Sequence, residues 1–388
     1  MNDKTVKKET YAVHAGMKPR ENHGIPNIPV YHTSTIMKDT LDDYRNRRGT
    51  YDYGRIGTPT SEAVELSVAG LYGSEDAVAV PSGLAAITTG VLAVVKSGDE
   101  VLFPDSLYGS GRRFAEVILP QIGVTPQFYN PVADAESVAG LITSKTSLLY
   151  IETPGSLTFE MQDTVGLVAL AKEKGLLTAC DNTWGTPFYF NAVKHGIDVI
   201  IEAGTKYISG HSDVSIGFVA SSGETAKRIR EYAKNIGLCV APDDHYLTMR
   251  GLRTMGLRLR QSEKNGLALA KWLEQQPEVA TMLHPALESH PQHAWWKRDF
   301  TGACGLFGFV IYKNVPDKAV DAMADGLEFF GIGASWGGHE SLISEGHLKR
   351  SVTSLPQGRL MRIYAGLEDT DDLLADLAAG FERMRNST

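Results

Sequence analysis

The stretch IIEAGTKYISGHSD, residues 200–213, runs from apolar residues into a lysine, Lys206, followed by small and polar residues. With Val199 before it, the run carries Val and Ile on both faces, the pattern of a strand in a parallel sheet covered by helices on each side. A lysine closing such a strand has two readings. Either it snorkels to water, or it is desolvated, with a lowered pKa that suits it to nucleophilic or Schiff-base work. The second requires three companions: an anion cradle, a carboxylate for a ring nitrogen, and a planar group to stack on the ring.

The strand pattern recurs. DAVAVPSG (76–83), DEVLFPD (99–105), SLLYIETP (147–154), GLLTACDN (175–182) and SIGFVASS (215–222) are apolar runs, most of them separated by helical stretches of about 10–15 residues. The fold class expected is α/β, with a mostly parallel central sheet between helical layers. Residues 1–58, broken by Pro19, Pro26, Pro29, Gly49, Gly54 and Gly57, read as an extended arm. Residues 59–250 form the large domain. After about residue 243, a long helical stretch with glycine breaks leads into a smaller α/β domain, 251–388. There a strand is expected in GLFGFVIYK (305–313), a helix over about 318–330, a strand in LMRIYAG (360–366) and a final amphipathic helix over 369–384.

In open α/β sheets, ligands bind beyond the carboxyl ends of the strands. Four such ends carry polar or aromatic residues. Ser82 is a good helix N-cap, and Gly83 and Leu84 follow it with first-turn N–H groups that can meet an anion, although an ordinary capped helix has the same form. Tyr108 offers a ring, as half-buried packing tyrosines also do. Asp181 closes an apolar strand, where a carboxylate needs a cation or donors. Thr205 and Lys206 complete the set. Cradle, ring and carboxylate thus appear in order along one sheet, which favours the desolvated lysine.

The chain has 388 residues, 43% hydrophobic and 22% charged, with a formal charge of −8 and no basic block. That excludes an electrostatic footprint for nucleic acid or an anionic membrane and points to a small-molecule partner. The N-terminus lacks an apolar signal core, and no window approaches the ~18 apolar residues of a spanning helix. The cytoplasm is the expected location. Cys180, Cys239 and Cys304 lack CxxC spacing and are expected to be small buried apolar residues. His284, His290 and His293 lack metal-ligand spacing and read as a surface or channel loop. His211 reads as a hydrogen-bonding support of the lysine loop, and the basic run at 256–260 as a solvated helix face.

DNTW (181–184) and GTKYISGHSD (204–213), with VPSGLAA (80–86) upstream and SWGGHESL (335–342) downstream, resemble the pyridoxal-5′-phosphate (PLP) enzymes of cysteine and methionine metabolism, of aspartate-aminotransferase fold type I. The similarity runs from HAG at 14–16 to RIYAGLEDTDDLLADL at 362–377. It implies that Lys206 holds PLP as a Schiff base, that Asp181 pairs with its ring nitrogen, and that Tyr108 stacks on the ring. Ser82, Gly83, Leu84 and Thr205 would form the phosphate cradle. YDYGRIGTPT (51–60) resembles the arm segment that enters a neighbouring subunit, so Tyr53 and Arg55 would complete the partner's site. Arg362 would grip the substrate carboxylate, with Ser335 and Trp336 beside it. The resemblance also implies a homotetramer of two catalytic dimers. One departure is Ala203, where many members have a serine that contacts phosphate.

SWGG with Trp336, Ser110 after Tyr108, and the segment at 284–309 resemble the cystathionine β-lyase branch. That branch implies a β-elimination of L-cystathionine to homocysteine, pyruvate and ammonia, in methionine biosynthesis, with Lys206, Tyr53 and Tyr108 as catalytic groups and no metal. A γ-synthase or γ-lyase of the same fold and a broader carbon–sulfur lyase are the nearest alternatives. A PLP-binding protein without turnover and a structural protein without cofactor are more remote ones.

Overall fold

Six apolar runs and one further segment become the seven strands of one sheet in the computed structural model, which describes residues 6–387. They are β1 (Asp76–Val80), β2 (Glu100–Pro104), β3 (Thr125–Tyr129), β4 (Thr146–Glu152), β5 (Leu177–Asp181), β6 (Val199–Glu202) and β7 (Gly217–Ser221), in the order β1-β7-β6-β5-β4-β2-β3. β2, β3, β4, β5 and β6 pair in parallel, and β7 runs antiparallel between β1 and β6. Two reversals restore direction, so β1 also points the same way. The ends of β1, β2, β4, β5 and β6 therefore meet at one edge, which they share with the start of β7.

Side chains alternate across a strand, and both faces here are apolar. Leu102, Leu149, Ile151, Cys180, Ile200 and Phe218 pack into a core on one face, and Val101, Phe103, Leu148, Tyr150, Ala179, Val199 and Ile201 into a core on the other. Helices close each core. The helix Pro59–Tyr72 starts at a reciprocal cap between Thr58 and Ser61 with Pro59 in its first turn, and stops at Gly73, whose φ of 76° is left-handed.

β3 has no counterpart among the expected strands. Its Pro126 argues against a central strand, and the structure puts it at the sheet's edge, where a missing N–H is tolerated. The expected glycine breaks after residue 243 are also absent: Pro242–Leu273 is one helix of 32 residues. Gly251 is there for close approach instead, since a Cβ would stand 2.0 Å from the Ser209 carbonyl oxygen. The seam expected at 250/251 falls inside this helix, which joins the first sheet to the second.

The second sheet contains β8 (Val279–Leu283), β9 (Leu306–Ile311), β10 (Phe330–Ile332), β11 (Ser341–Glu345) and β12 (Arg359–Tyr364), in the order β10-β11-β12-β9-β8. β9, β12 and the closing helix Thr370–Asn386 lie where the sequence pattern puts them. The helix expected over 318–330 is shorter, Asp317–Asp325, because the chain turns after Gly326 and Phe330 joins β11 as an edge strand.

Three surface expectations are overturned. Cys239 is exposed, whereas Cys180 and Cys304 are buried. His284 and His290 are buried, and burial pulls their pKa values down to about 3 and about 4, so these are neutral core histidines rather than loop surface. Arg258 is buried too, donating to Ile208 O and Gly251 O under the lysine loop, so only part of the basic run faces water. Among the described residues no helix is long and apolar enough to cross a membrane.

Candidate active site

The strand ends at the shared edge enclose a cavity of about 350 Å³, lined by Ser82, Gly83, Leu84, Tyr108, Asp181, Ala203, Thr205, Lys206, Trp336 and Arg362, among others. Ten of the predicted site positions, Ala203 included, thus converge from sequence separations of up to 280 residues. Parallel strand polarity is what brings the large-domain set together.

Lys206 is the centre. Its Nζ donates to Ser335 Oγ at 2.7 Å and lies 5.5 Å from the centroid of the Trp336 ring. Burial, and then the positive charge of Arg362, pulls its pKa down to about 8. The loop bearing Ser335 presses on the lysine's backbone. At Gly337, φ is 81° and a Cβ would stand 2.8 Å from the Lys206 carbonyl carbon, so only glycine fits.

Asp181 takes both of its hydrogen bonds on Oδ1, from Thr183 N at 3.0 Å and Thr183 Oγ1 at 2.6 Å. Burial pushes its pKa up, so a cationic donor in the cavity would be stabilising. Thr183 Oγ1 in turn accepts Ala203 N at 2.9 Å, tying Asp181 to the lysine loop.

Ser82 caps the helix Gly83–Leu92, its Oγ accepting Ala85 N at 3.0 Å. Gly83 and Leu84 are left with first-turn N–H groups that have no partner inside a helix, in the field of its positive end. A Cβ on Gly83 would come within 2.6 Å of the Ala203 methyl, so this helix start and the lysine loop are closely packed. Thr205 Oγ1 is engaged in both directions with Ile216, donating to its O and accepting from its N at 3.0 Å each. Its hydroxyl would have to leave the Ile216 carbonyl to donate to a phosphate, a constraint that the sequence does not reveal.

Arg362, on β12, donates through Nη2 to Gly333 O and Ser335 O at 3.2 Å each, which turns the guanidinium toward the same cavity. Tyr108 is 45% exposed at the mouth. Its backbone N–H donates to Glu152 Oε2 at 3.0 Å. Tyr53 and Arg55 do not line the cavity of their own chain: Tyr53 is exposed and bridges Thr35, and Arg55 Nη1 donates to Lys234 O at 2.9 Å. His211 is exposed, and its Nδ1 lies 2.7 Å from the nearby Ser209 O.

Glu152, Ser156 and Ser215 line the cavity without having been singled out in the sequence. Glu152 had a signal, since it closes β4 as Asp181 closes β5. Ser215 lies on the loop before the antiparallel strand β7, so the rule of parallel strand ends misses it.

A group with a phosphate, a planar ring carrying a protonatable nitrogen, and a carbonyl fits these residues. The helix start would meet the phosphate, Asp181 the nitrogen, and the desolvated Lys206 amine the carbonyl carbon.

The chain's similarity to known proteins agrees. The family described as Cys/Met metabolism PLP-dependent enzyme matches residues 9–382. Cystathionine beta-lyase MetC of Escherichia coli (strain K12) is 38% identical over 397 residues, covering 99% of this chain and 100% of that protein. The L-alanine/L-glutamate racemase of Wolbachia pipientis wMel is 40% identical over 397 residues, covering 98% of each. Among solved structures, a cystathionine gamma synthase from Xanthomonas oryzae pv. oryzae, in complex with aminoacrylate and cysteine, superposes with a TM-score of 0.92. It is 30% identical over 99% of this chain and 100% of that one.

Proposed function

This chain belongs to the Cys/Met metabolism PLP-dependent enzymes and is a PLP-dependent carbon–sulfur lyase, and from that premise we propose that it cleaves L-cystathionine by β-elimination, to homocysteine, pyruvate and ammonia. The observation that carries the reading is the Lys206 amine, with a pKa of about 8, lying against Ser335 and Trp336 in the cavity that also holds Asp181 and Arg362.

PLP supplies an electron sink for the pair left on the substrate's α carbon, and a carboxylate facing its ring nitrogen strengthens that sink. Lys206, Asp181, Tyr108, Gly83 and Leu84 would hold it, with Ser82 fixing the helix start and Thr205 the lysine loop. Arg362 would bind the substrate α-carboxylate through its planar fork and so fix the α carbon near the lysine. Lys206 Nζ, neutral for much of its time near pH 8, would take the α proton. The departing sulfur on the β carbon would receive a proton from Lys206 or from Tyr53 of a second copy. The aminoacrylate released hydrolyses in water to pyruvate and ammonia, so atoms balance with one water consumed. Tyr53 and Arg55, exposed or turned away from their own cavity, suit an arm that serves a neighbouring copy in a homotetramer. Location in the cytoplasm and a place in methionine biosynthesis belong to the same proposal.

The test is product analysis with purified holoenzyme and L-cystathionine. Pyruvate and homocysteine in equal amounts support the β-lyase. Production of 2-oxobutyrate and cysteine overturns it in favour of a γ-acting enzyme, and conversion of L-alanine to D-alanine without pyruvate from cystathionine overturns it in favour of a racemase.

A further inference from the structure

Glu202 ends β6, four residues before Lys206, with no exposed surface. Its Oε2 accepts the hydroxyl of Tyr72, the last residue of the helix Pro59–Tyr72. The same hydroxyl oxygen accepts Asn182 Nδ2 at 3.1 Å, and Asn182 gives its other amide proton to Phe190 O at 3.1 Å. The Asn182 backbone N–H donates to Ile201 O at 2.8 Å, so the cluster spans the ends of β5 and β6. Counting donors leaves two buried acceptors unmet, Glu202 Oε1 and Asn182 Oδ1.

A carboxylate at Glu202 would hold a charge in the core with one hydroxyl to stabilise it, and no Lys, Arg or His among the described residues pairs with it. A proton on Glu202 removes that charge and leaves Oε2 free to accept the Tyr72 hydroxyl as before. The titratable groups around it are Tyr72 from the helix, and Cys180 and Asp181 from β5, while β7 sets Phe218 opposite. Burial favours the protonated acid, the Tyr72 bond opposes it, and the Asp181 charge favours it again.

We propose that Glu202 is a positioning residue held as a neutral acid: with Tyr72 and Asn182 it braces the ends of β5 and β6 that carry Asp181 and Lys206, and it leaves Asp181 as the charged carboxyl beside the cofactor. The inference rests on Asp181 and Lys206 being the cofactor's ligands, and it is independent of which thioether is cleaved.

The test compares holoenzyme variants by PLP dissociation constant, by the pH titration of the cofactor absorbance band and by infrared spectroscopy. Glu202→Gln replaces a neutral acid donor for donor, so PLP affinity stays within about twofold and the pH midpoint is unchanged. The infrared carbonyl band of a buried carboxylic acid, present in the parent, is lost. A midpoint displaced by about half a pH unit or more, or no infrared difference, overturns the neutral acid. Glu202→Ala leaves the Tyr72 hydroxyl without its acceptor and weakens PLP binding about tenfold at unchanged circular dichroism; unchanged affinity overturns the positioning role. Should that variant not fold, Tyr72→Phe removes the shared hydroxyl and tests the same brace in the same direction. PLP binding unaltered in Asp181→Asn would instead overturn the assignment of Asp181 on which the inference rests.

Discussion

Lys206 Nζ lies 2.7 Å from Ser335 Oγ, so a loop of the second sheet's half of the molecule closes directly on the lysine at the end of the first sheet. Arg362 reaches the carbonyl oxygen of the same serine. One residue thus registers Lys206 against Arg362.

Lys206→Ala removes the amine that would hold the cofactor and move the proton. The expected outcome is a loss of about 10³-fold or more in kcat/KM with the fold kept. Steady-state rates and circular dichroism check it, and a variant within tenfold of the parent would refute the role.

The apoprotein should show the lysine's desolvation as a pH-dependent cost. The amine titrates near 8 when folded, against 10.5 for the free side chain. Below pH 8 the folded chain carries a charge it disfavours. Between about 8 and 10.5 the unfolded chain still binds the proton that the folded chain has released, so stability rises with pH across that window. Lys206→Met therefore stabilises the apoprotein at pH 7 by about 3 kcal/mol, a gain that shrinks as pH rises toward 10.5. Urea unfolding of both proteins over this range decides, and a gain constant with pH would contradict the prediction.

Arg362→Ala should raise KM for an amino-acid substrate about 10²-fold, the scale for losing one partner of a desolvated charge pair. Arg362→Lys should recover only part of this, because an ammonium lacks the guanidinium's bidentate fork. Equal KM in parent and both variants would remove Arg362 from substrate binding.

Asp105, three residues before Tyr108, anchors the loop 351–353 to the large domain. It accepts Ser351 N, Val352 N, Thr353 N and Thr353 Oγ1 at 2.7–3.0 Å, and both Arg112 Nη groups at 3.0–3.1 Å. Burial raises its pKa, but the donors of Ser351, Val352 and Thr353 outweigh it and hold the value at about 2. This contribution is complete above the unfolded carboxyl's value of 3.8 and is lost as pH falls through about 2. Asp105→Asn is expected to destabilise by about 2–4 kcal/mol, since it leaves Arg112 without its buried anion. Denaturant midpoints measure this, and trypsin should cut sooner at Lys349 or Arg350; unchanged midpoint and cleavage would show that the anchor contributes nothing.

The large-domain half of the site is legible in the residues themselves because it follows a local rule. Apolar runs make parallel strands, and polar residues at their carboxyl ends share an edge, so Ser82, Tyr108, Asp181 and Lys206 can be collected by pattern. The same rule reaches Glu152, which closes β4. It fails for Ser215, whose strand is antiparallel, and for β3, whose proline hides an edge strand. Arg362, Ser335 and Trp336 came through resemblance alone, because nothing in the spacing of residues 335 and 362 tells that they meet residue 206.

The sequence by itself determined the alternation of strands and helices, the capped helix start at Ser82 and the lysine at a strand end, since these depend on period, cap chemistry and strand-end polarity within a few residues. Only the tertiary structure decided that Thr205 is engaged with Ile216, that Arg258, His284 and His290 are core residues, and that Tyr53 and Arg55 stay out of their own cavity. The physical reason is that burial and hydrogen-bond partners are set by segments tens to hundreds of residues away. The same holds for Glu202: an acid in an apolar strand is visible in the letters, but its complete burial and its bond with the Tyr72 hydroxyl, which Asn182 shares, come from the fold alone.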